Sequence, residues 1–427
     1  MLVQNGSALR ALVAPTPAQQ FLGDFWPERV FHAHGPLSRL PALFSSRELS
    51  SFRALTAGYR GWLGFGQGAR SSRMISAQEM NPMHLYELGL SVYLPDISAG
   101  VPGAASFLRE LETELGIEEG CSHITVWASP RGDGAPTHFD SEDVFSVQLV
   151  GTKRFEIAPM KEYAYPLGGQ FGPGAAPYDD MYPQLEGGFP EVADADFETV
   201  DMKPGSVLFL PRGTWHRTQA EQDSFAISIG IRPPAVIDSF LEQLRYVLLQ
   251  DPEWRRPMYG ARGDMAQRQQ ALERARKVLE TAPTVVQAIS VNHVAPPPEA
   301  ERLKHMQRTS SFQRELGTRL EFTPGQGTEI LRVFSWSRDA GEQNTIQMNV
   351  PAQYLSIFKW LAEAKAAFTA GELADRFPEA PFEQHQKILD VLTRARYLRL
   401  LWFPRLRKPP SPGAVLDLPR RHISGER

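Results

Sequence analysis

Three side chains carry the clearest chemistry in this sequence: His138, Asp140 and, 78 residues after the first, His216. In an extended strand residues i and i+2 share one face, so His138-x-Asp140 can aim an imidazole nitrogen and a carboxylate oxygen at one point. His216 follows the turn Pro211-Arg212-Gly213-Thr214, on a second strand that a barrel can bring opposite the first. Two neutral imidazoles and one carboxylate, with neighbouring positions left open, suit a non-haem Fe(II) oxygenase that admits a bidentate co-substrate and oxygen. An H-x-D alone is weak in a chain with ten histidines. Its place after a Gly-rich turn, and the P-x-G-x-x-H turn downstream, give it weight. Lys153 lies 15 residues after His138, across the turn Gly151-Thr152. A cation inside a barrel needs an anion, which an oxoacid with a distal carboxylate supplies. The alternative leaves Lys153 on a hairpin surface with Arg154 inward.

Short strands must position these groups. HITVWASP (123–130), Val144–Val150, Lys153–Ile157, GSVLFLPRGTWHRT (205–218) and SFAISIGIR (224–232) alternate with period two and are separated by turn residues, the pattern of a sandwich or small barrel. Before them, 21–35 reads as a short helix, and 104–116 as a helix with Phe107, Leu108, Leu111 and Leu115 on one side. Residues 159–190 form a long loop. After Pro234 the pattern turns helical to about 290, then breaks at VAPPPEAE (294–301). Beyond 317 come the strand-like GTEILRVFSWSR, three short helices (YLSIFKWLAEA, TAGELADRF, FEQHQKILDVLTRARY) and the strand LRLLWF.

Composition sets the outer limits. At 427 residues, roughly 150 per domain, the chain is long enough for about three domains. Gly (34) and Pro (35) exceed the usual combined share of roughly 12%, in keeping with a turn-rich β part. The single cysteine, Cys121, excludes an internal disulfide and any cysteine-built zinc or iron–sulfur site, so a metal must rely on His and carboxylates. Net charge is −4, no run of 18 apolar residues occurs, and the first residues carry no secretory pattern. The expectation is a soluble cytoplasmic protein with no membrane association.

HFDSEDVFSVQLVGTKRFEIAP together with GSVLFLPRGTWH resembles the Jumonji C (JmjC, cupin-like) group of 2-oxoglutarate/Fe(II)-dependent oxygenases, and most closely its ribosomal oxygenase branch. FWPERVFHAHGP near the start and the order of regions after Pro234 are similar as well. The resemblance implies an α+β fold: a double-stranded β-helix (jelly-roll) oxygenase domain over 1–235, a helical dimerisation region over 236–320, and a winged-helix-like domain over 321–427. It implies His138, Asp140 and His216 as Fe(II) ligands and Lys153 as the group that holds the C5 carboxylate of 2-oxoglutarate. Ser146 and Val144 stand at pocket-lining positions. Some relatives have a polar co-substrate contact at the Val144 position, which valine cannot make. Thr125 and Trp127 are further candidates, although Ile124 and Val126 are the alternative inward pair. The ribosomal arginine hydroxylases carry Arg at the position of Lys153, so their substrate is not carried over.

Between Asp179 and Asp201 lie eight acids and no Lys or Arg, with Tyr163, Tyr165, Tyr178 and Tyr182 in the same loop region. Such a rim favours a basic protein or peptide; a solvated loop is the plain alternative. Glu372, Asp375, Glu379, Glu383 and Asp390 in the C-terminal helices disfavour nucleic acid, and the basic stretch after Arg394 reads as a solvated tail. Phe240, Leu241, Leu244, Val247 and Leu248 need a cover, which a homodimer provides. The expectation is a hydroxylase acting on a protein or peptide side chain, of ribosomal-protein type or a dedicated precursor peptide. A JmjC N-methyl-lysine demethylase and a non-catalytic cupin-like metal-binding protein are the alternatives.

Overall fold

Between Ser122 and Ile231 β-branched and aromatic residues alternate with small or polar ones, and the chain folds there into antiparallel strands. A computed structural model describes residues 7–66, 74–161, 164–171, 183, 191–289, 299–324, 329–337 and 342–401. The chain divides into two compact units, Met1–Pro234 and Ala235–Arg427.

The strands of the first unit are, in order, β1 (Phe31–Ala33), β2 (Trp62–Gly66), β3 (Ile75–Ser76), β4 (Ser91–Leu94), β5 (Ser122–Ser129), β6 (His138–Phe139), β7 (Asp143–Val150), β8 (Lys153–Ala158), β9 (Gln170–Phe171), β10 (Glu198–Met202), β11 (Val207–Leu210), β12 (Trp215–Ala220) and β13 (Ser224–Ile231). Among the described residues they build an eight-stranded sheet, β1-β11-β7-β13-β5-β4-β2-β3, and a five-stranded sheet, β10-β8-β12-β6-β9. From β6 the chain crosses to the larger sheet for β7, returns to the smaller for β8, β9 and β10, and then alternates through β11, β12 and β13. That connectivity is the cupin-like fold.

The larger sheet has a wholly apolar outer face. Ile124, Val126 and Ala128 of β5, Phe145, Val147 and Leu149 of β7, and Phe225, Ile227, Ile229 and Ile231 of β13 join one core there. The helix Ala104–Leu115 packs onto it through Phe107, Leu108, Leu111 and Leu115, as the spacing predicts, and ends at Gly116 with φ +71°. Each such buried side chain contributes roughly 2 kcal/mol. The alternate residues (Thr125, Trp127, Ser129; Val144, Ser146, Gln148) point to the space between the sheets. Phe155, Ile157, Met202, Leu208 and Leu210 form a small apolar cluster in that space.

The predicted helix over 21–35 is a correction. A helix covers only Ala18–Asp24, and Phe31–Ala33 is strand β1, paired with Phe209–Val207. Pro27 ends helical continuity by removing an amide donor, and the Phe31 and Ala33 side chains are buried once the strand is paired.

The second unit begins with the helices Val236–Leu248, Pro252–Arg255, Met265–Leu279 and Ala282–Ala288. In the first of these Val247 is buried while Leu241 is 50% exposed. Beyond 299, the strands Ser311–Arg314, Phe368–Thr369 and Leu398–Leu401 form one small sheet. The helices Leu355–Glu363, Ala370–Arg376 and Phe382–Arg394 bury Ile357, Leu361, Leu373, Ile388 and Leu392 in the core of this unit. A meander of Arg319–Pro324, Glu329–Ser337 and Glu342–Val350 completes it. Only the middle strand of that meander is evident from sequence. No described helix is long and apolar enough to cross a membrane.

Candidate metal centre

The two-residue strand β6 sets His138 directly opposite His216 of β12. Alternation sends Phe139 and Trp215 to the other side, where their rings pack edge to face at 4.7 Å. Asp140 follows immediately, and its carbonyl accepts from Gly213 N at 2.8 Å, which ties β6 to the turn that precedes His216. Arg212 in that turn is anchored in its own right: its amide donates to Asp143 Oδ1 at 2.9 Å, and its guanidinium lies 3.6 Å from Asp143 Oδ2. The ligand atoms of His138, Asp140 and His216 all lie within 4.8 Å of one another.

The hydrogen bonds fix the tautomers. His138 Nδ1 lies 2.7 Å from Pro136 O and His216 Nδ1 3.0 Å from Thr214 O. A carbonyl only accepts, so each Nδ1 carries the proton and each Nε2 presents its lone pair. Burial, and then the neighbouring His216, push the His138 pKa down to about 4, so its ring is neutral at neutral pH. Asp140 Oδ2 sits 3.6 Å from His216 Nε2. Two imidazole lone pairs and one carboxylate within reach of one point, three protein ligands in all, fit a divalent iron that keeps open positions.

Lys153 points inward and is 6% exposed, with Nζ 3.4 Å from Ser129 Oγ. Burial lowers its pKa to about 8, and Asp133 opposes that shift. Arg154 is the outward neighbour, paired with Asp201 at 3.0 Å and Glu221 at 3.1 Å. Thr125 and Ser146 are both buried on the inner face; each is the register partner of Ser228 on β13, and Thr125 Oγ1 donates to Ser228 O at 3.2 Å. Ile124 and Val126 lie in the outer core instead. Trp127 lies on the inner face, with its ring 4.4 Å from that of Tyr93. Val144 shares that face.

A pocket of about 720 Å³ opens on Asp140, bounded among others by Tyr93, His123, Glu142 and Arg232. None of these four is evident from the sequence. His123 Nε2 lies 3.9 Å from Glu142 Oε2, and burial raises the Glu142 pKa. A Cβ at Gly230 would come within 2.5 Å of the His123 ring, so the glycine makes room for this pair. Burial, followed by Glu142 and Asp140, pushes the Tyr93 pKa up to about 12, which keeps the phenol protonated. Continuing the β7 alternation one step past Ser146 would have found Gln148, which is fully buried.

The acidic rim reads differently in the structure. Asp194 pairs with Arg217 at 2.7 Å, Asp196 with Lys161 at 2.9 Å and Asp201 with Arg154. These three aspartates, exposed or partly so, are each paired with a neighbouring cation. Asp179, Asp180, Glu186, Tyr163, Tyr178 and Tyr182 lie outside the described residues, as does the basic stretch after Leu401.

Residues 110–238 match the JmjC domain family. The uncharacterized protein YxbC of Bacillus subtilis (strain 168) is 26% identical over 260 residues, 58% of this chain and 78% of that one. Lysine-specific demethylase 8 of Xenopus tropicalis is 30% identical over 107 residues, 25% of this chain and 24% of its own. Ribosomal oxygenase 1 of Homo sapiens is 25% identical over 226 residues, 49% of this chain and 32% of its own. The chain therefore spans a third or less of these last two. Among solved structures, the ribosomal oxygenase YcfD of Escherichia coli with cobalt and succinic acid aligns over 90% of this chain and 97% of its own, at 16% identity and a TM-score of 0.38.

Proposed function

With residues 110–238 matching the JmjC domain family and the chain similar to ribosomal oxygenase 1, we propose that this protein is an Fe(II)- and 2-oxoglutarate-dependent hydroxylase acting on a C–H bond of a protein or peptide side chain. The observation that carries the reading is the His138–Asp140–His216 cluster, with both Nδ1 atoms committed to backbone carbonyls. His138 and His216 would hold iron through Nε2, and Asp140 through a carboxylate oxygen. Iron together with 2-oxoglutarate supplies the oxidising power to place one atom of O2 in a C–H bond, with succinate and CO2 as co-products.

The chain's own groups bind and orient. The Lys153 ammonium would hold the distal carboxylate of 2-oxoglutarate, and the buried inner-face hydroxyls of Thr125 and Ser146 would contribute polar contacts to the co-substrate. Val144 adds an apolar wall that makes no hydrogen bond. Tyr93, which lines the pocket, packs its ring 4.4 Å from that of Trp127 and so would help shape the entrance. The substrate enters by the pocket at Asp140. The pocket lining sets Glu142 beside His123 and Arg232, and a basic protein or peptide remains the substrate class proposed from the acidic 179–201 segment.

For the second unit we propose a helical dimerisation region over 236–320, supported by exposed Val236, Ile237 and Leu241, and a winged-helix-like domain over 321–427. The three short helices support the latter, and its small sheet also takes in the strand Ser311–Arg314, which lies before residue 321.

Intact-mass analysis of candidate proteins and peptides after incubation with the enzyme, Fe(II), ascorbate and 2-oxoglutarate tests this reading. A gain of one oxygen is the expected result. Loss of a methyl group instead favours the demethylase reading, which the likeness to lysine-specific demethylase 8 keeps in view. Iron binding with no turnover of 2-oxoglutarate favours a non-catalytic metal-binding protein.

A further inference from the structure

The Lys153 end of the space between the two sheets holds more polar chemistry than one carboxylate needs. Ser129 stands opposite Ser224 in the β5–β13 register. The β4–β5 register, Tyr93 to Trp127 and Val92 to Ala128, continues to Ser91 beside Ser129. Three serines thus cross β4, β5 and β13 in a row, none more than 2% exposed. Gln148 donates from Nε2 to Ser224 Oγ at 2.9 Å, and Lys153 Nζ approaches Ser129.

A carboxylate sits at the same end. Asp133 lies in the turn between β5 and β6. Its carbonyl accepts from Ala220 N at 2.8 Å, Gly132 N donates to Ala220 O at 2.8 Å, and Ala220 is the register partner of Lys153. Ser91 Oγ donates to Asp133 Oδ2 at 2.5 Å. The next residue fixes the turn: a Cβ on Gly134 would lie 1.8 Å from Thr218 O, so only glycine lets the turn lie against β12.

A buried ammonium is served by one anion, and two carboxylates on one cation repel each other. Resting on the functional reading above, we propose that Asp133 is the resident counter-ion of Lys153 and competes with the distal carboxylate of 2-oxoglutarate, so that it sets how tightly the co-substrate is held. Asp133 is a positioning residue, since it acts through Lys153. In the empty site it keeps the ammonium charged against burial. When 2-oxoglutarate arrives, the same charge weakens the ligand's hold on the cation. Ser91 tempers the competition, because its hydroxyl draws off part of the Asp133 charge.

Titration calorimetry on the manganese-loaded full chain at pH 6.5 tests this. The ligands are 2-oxoglutarate and pyruvate; pyruvate shares the 2-oxo acid head and lacks the distal carboxylate. Asp133→Asn is expected to bind 2-oxoglutarate about tenfold more tightly and pyruvate unchanged. Ser91→Ala leaves more of the Asp133 charge to Lys153 and is expected to bind 2-oxoglutarate about threefold more weakly, again with pyruvate unchanged. A purely structural role would weaken both ligands in both variants, and that result overturns the proposal. Unchanged 2-oxoglutarate affinity in Asp133→Asn overturns it too, and with the unaltered protein binding normally the functional reading survives. If the unaltered protein binds no 2-oxoglutarate, both fall together. If Asp133→Asn does not fold, Ser91→Ala decides alone: selective weakening supports the proposal and no change overturns it.

Discussion

Strands β5, β7 and β13 present two unlike faces. The outer face is uniform: Ile124, Val126, Phe145, Val147, Ile227 and Ile229 are each at most 1% exposed and join one apolar core. The inner face, made by the residues between them, mixes hydroxyls, an amide, small side chains and the Lys153 ammonium reaching in from β8. Both faces are buried, yet they have different work. Outer-face side chains hold the sheet to its helices. Inner-face side chains bring polar groups into the space between the sheets, with the metal ligands toward one end and Lys153 toward the other. Period two thus divides stability from chemistry within single strands.

Substitutions on the two faces should separate along that line. The largest effect is expected at the ligands: His216→Ala should lower iron affinity on the order of 1,000-fold or more while the thermal transition of the metal-free protein changes little, checked by metal titration beside calorimetry. On the outer face, Ile227→Ala should cost about 3 kcal/mol of stability through the cavity it leaves, with iron and 2-oxoglutarate affinity unchanged in the folded protein. Denaturant titration and ligand binding on one sample would show both. If ligand affinity fell in step with stability, the division between faces would be wrong.

Lys153→Met should weaken 2-oxoglutarate about 100-fold and leave iron binding intact. The same lysine sets opposite pH signs for stability and binding. Its pKa is about 8 in the fold against 10.5 for an ordinary lysine. Between those values the unfolded chain binds more protons, so this group makes the ligand-free protein more stable as pH rises through that window. Over the same window the ammonium is lost and 2-oxoglutarate affinity should fall. Melting temperature and affinity measured from pH 7.5 to 10 would expose the crossing. The smallest effect is expected at Thr125→Val, which removes one hydrogen bond to Ser228 at a cost of about 1 kcal/mol and leaves the metal in place.

How much of this was legible in the sequence depended on whether alternation had a visible contrast. His138-x-Asp140 stood out because i and i+2 were both ligand types, and Lys153 because a fixed offset accompanied it. Thr125 against Ile124 could not be decided, since both faces of β5 are buried and a strand covered on both sides loses its polar–apolar signal. Strand β1 read as helix because three residues carry little periodicity and their partner, Phe209, lies far along the chain. The pairing of Asp194 with Arg217 depends on where a loop meets a neighbouring strand, which no local pattern encodes. Asp133 and Ser91 were invisible for the same reason: their meeting is set by the register of β4 on β5 and by the turn lying against β12.

The most direct test of the inner-face account is succinate release from 2-oxoglutarate by the iron-loaded full chain, with the unaltered protein beside His216→Ala. The account predicts iron-dependent succinate formation by the unaltered protein and none above background by the variant, both remaining folded. Equal succinate formation by the two, or none by an unaltered protein that binds iron, would contradict it.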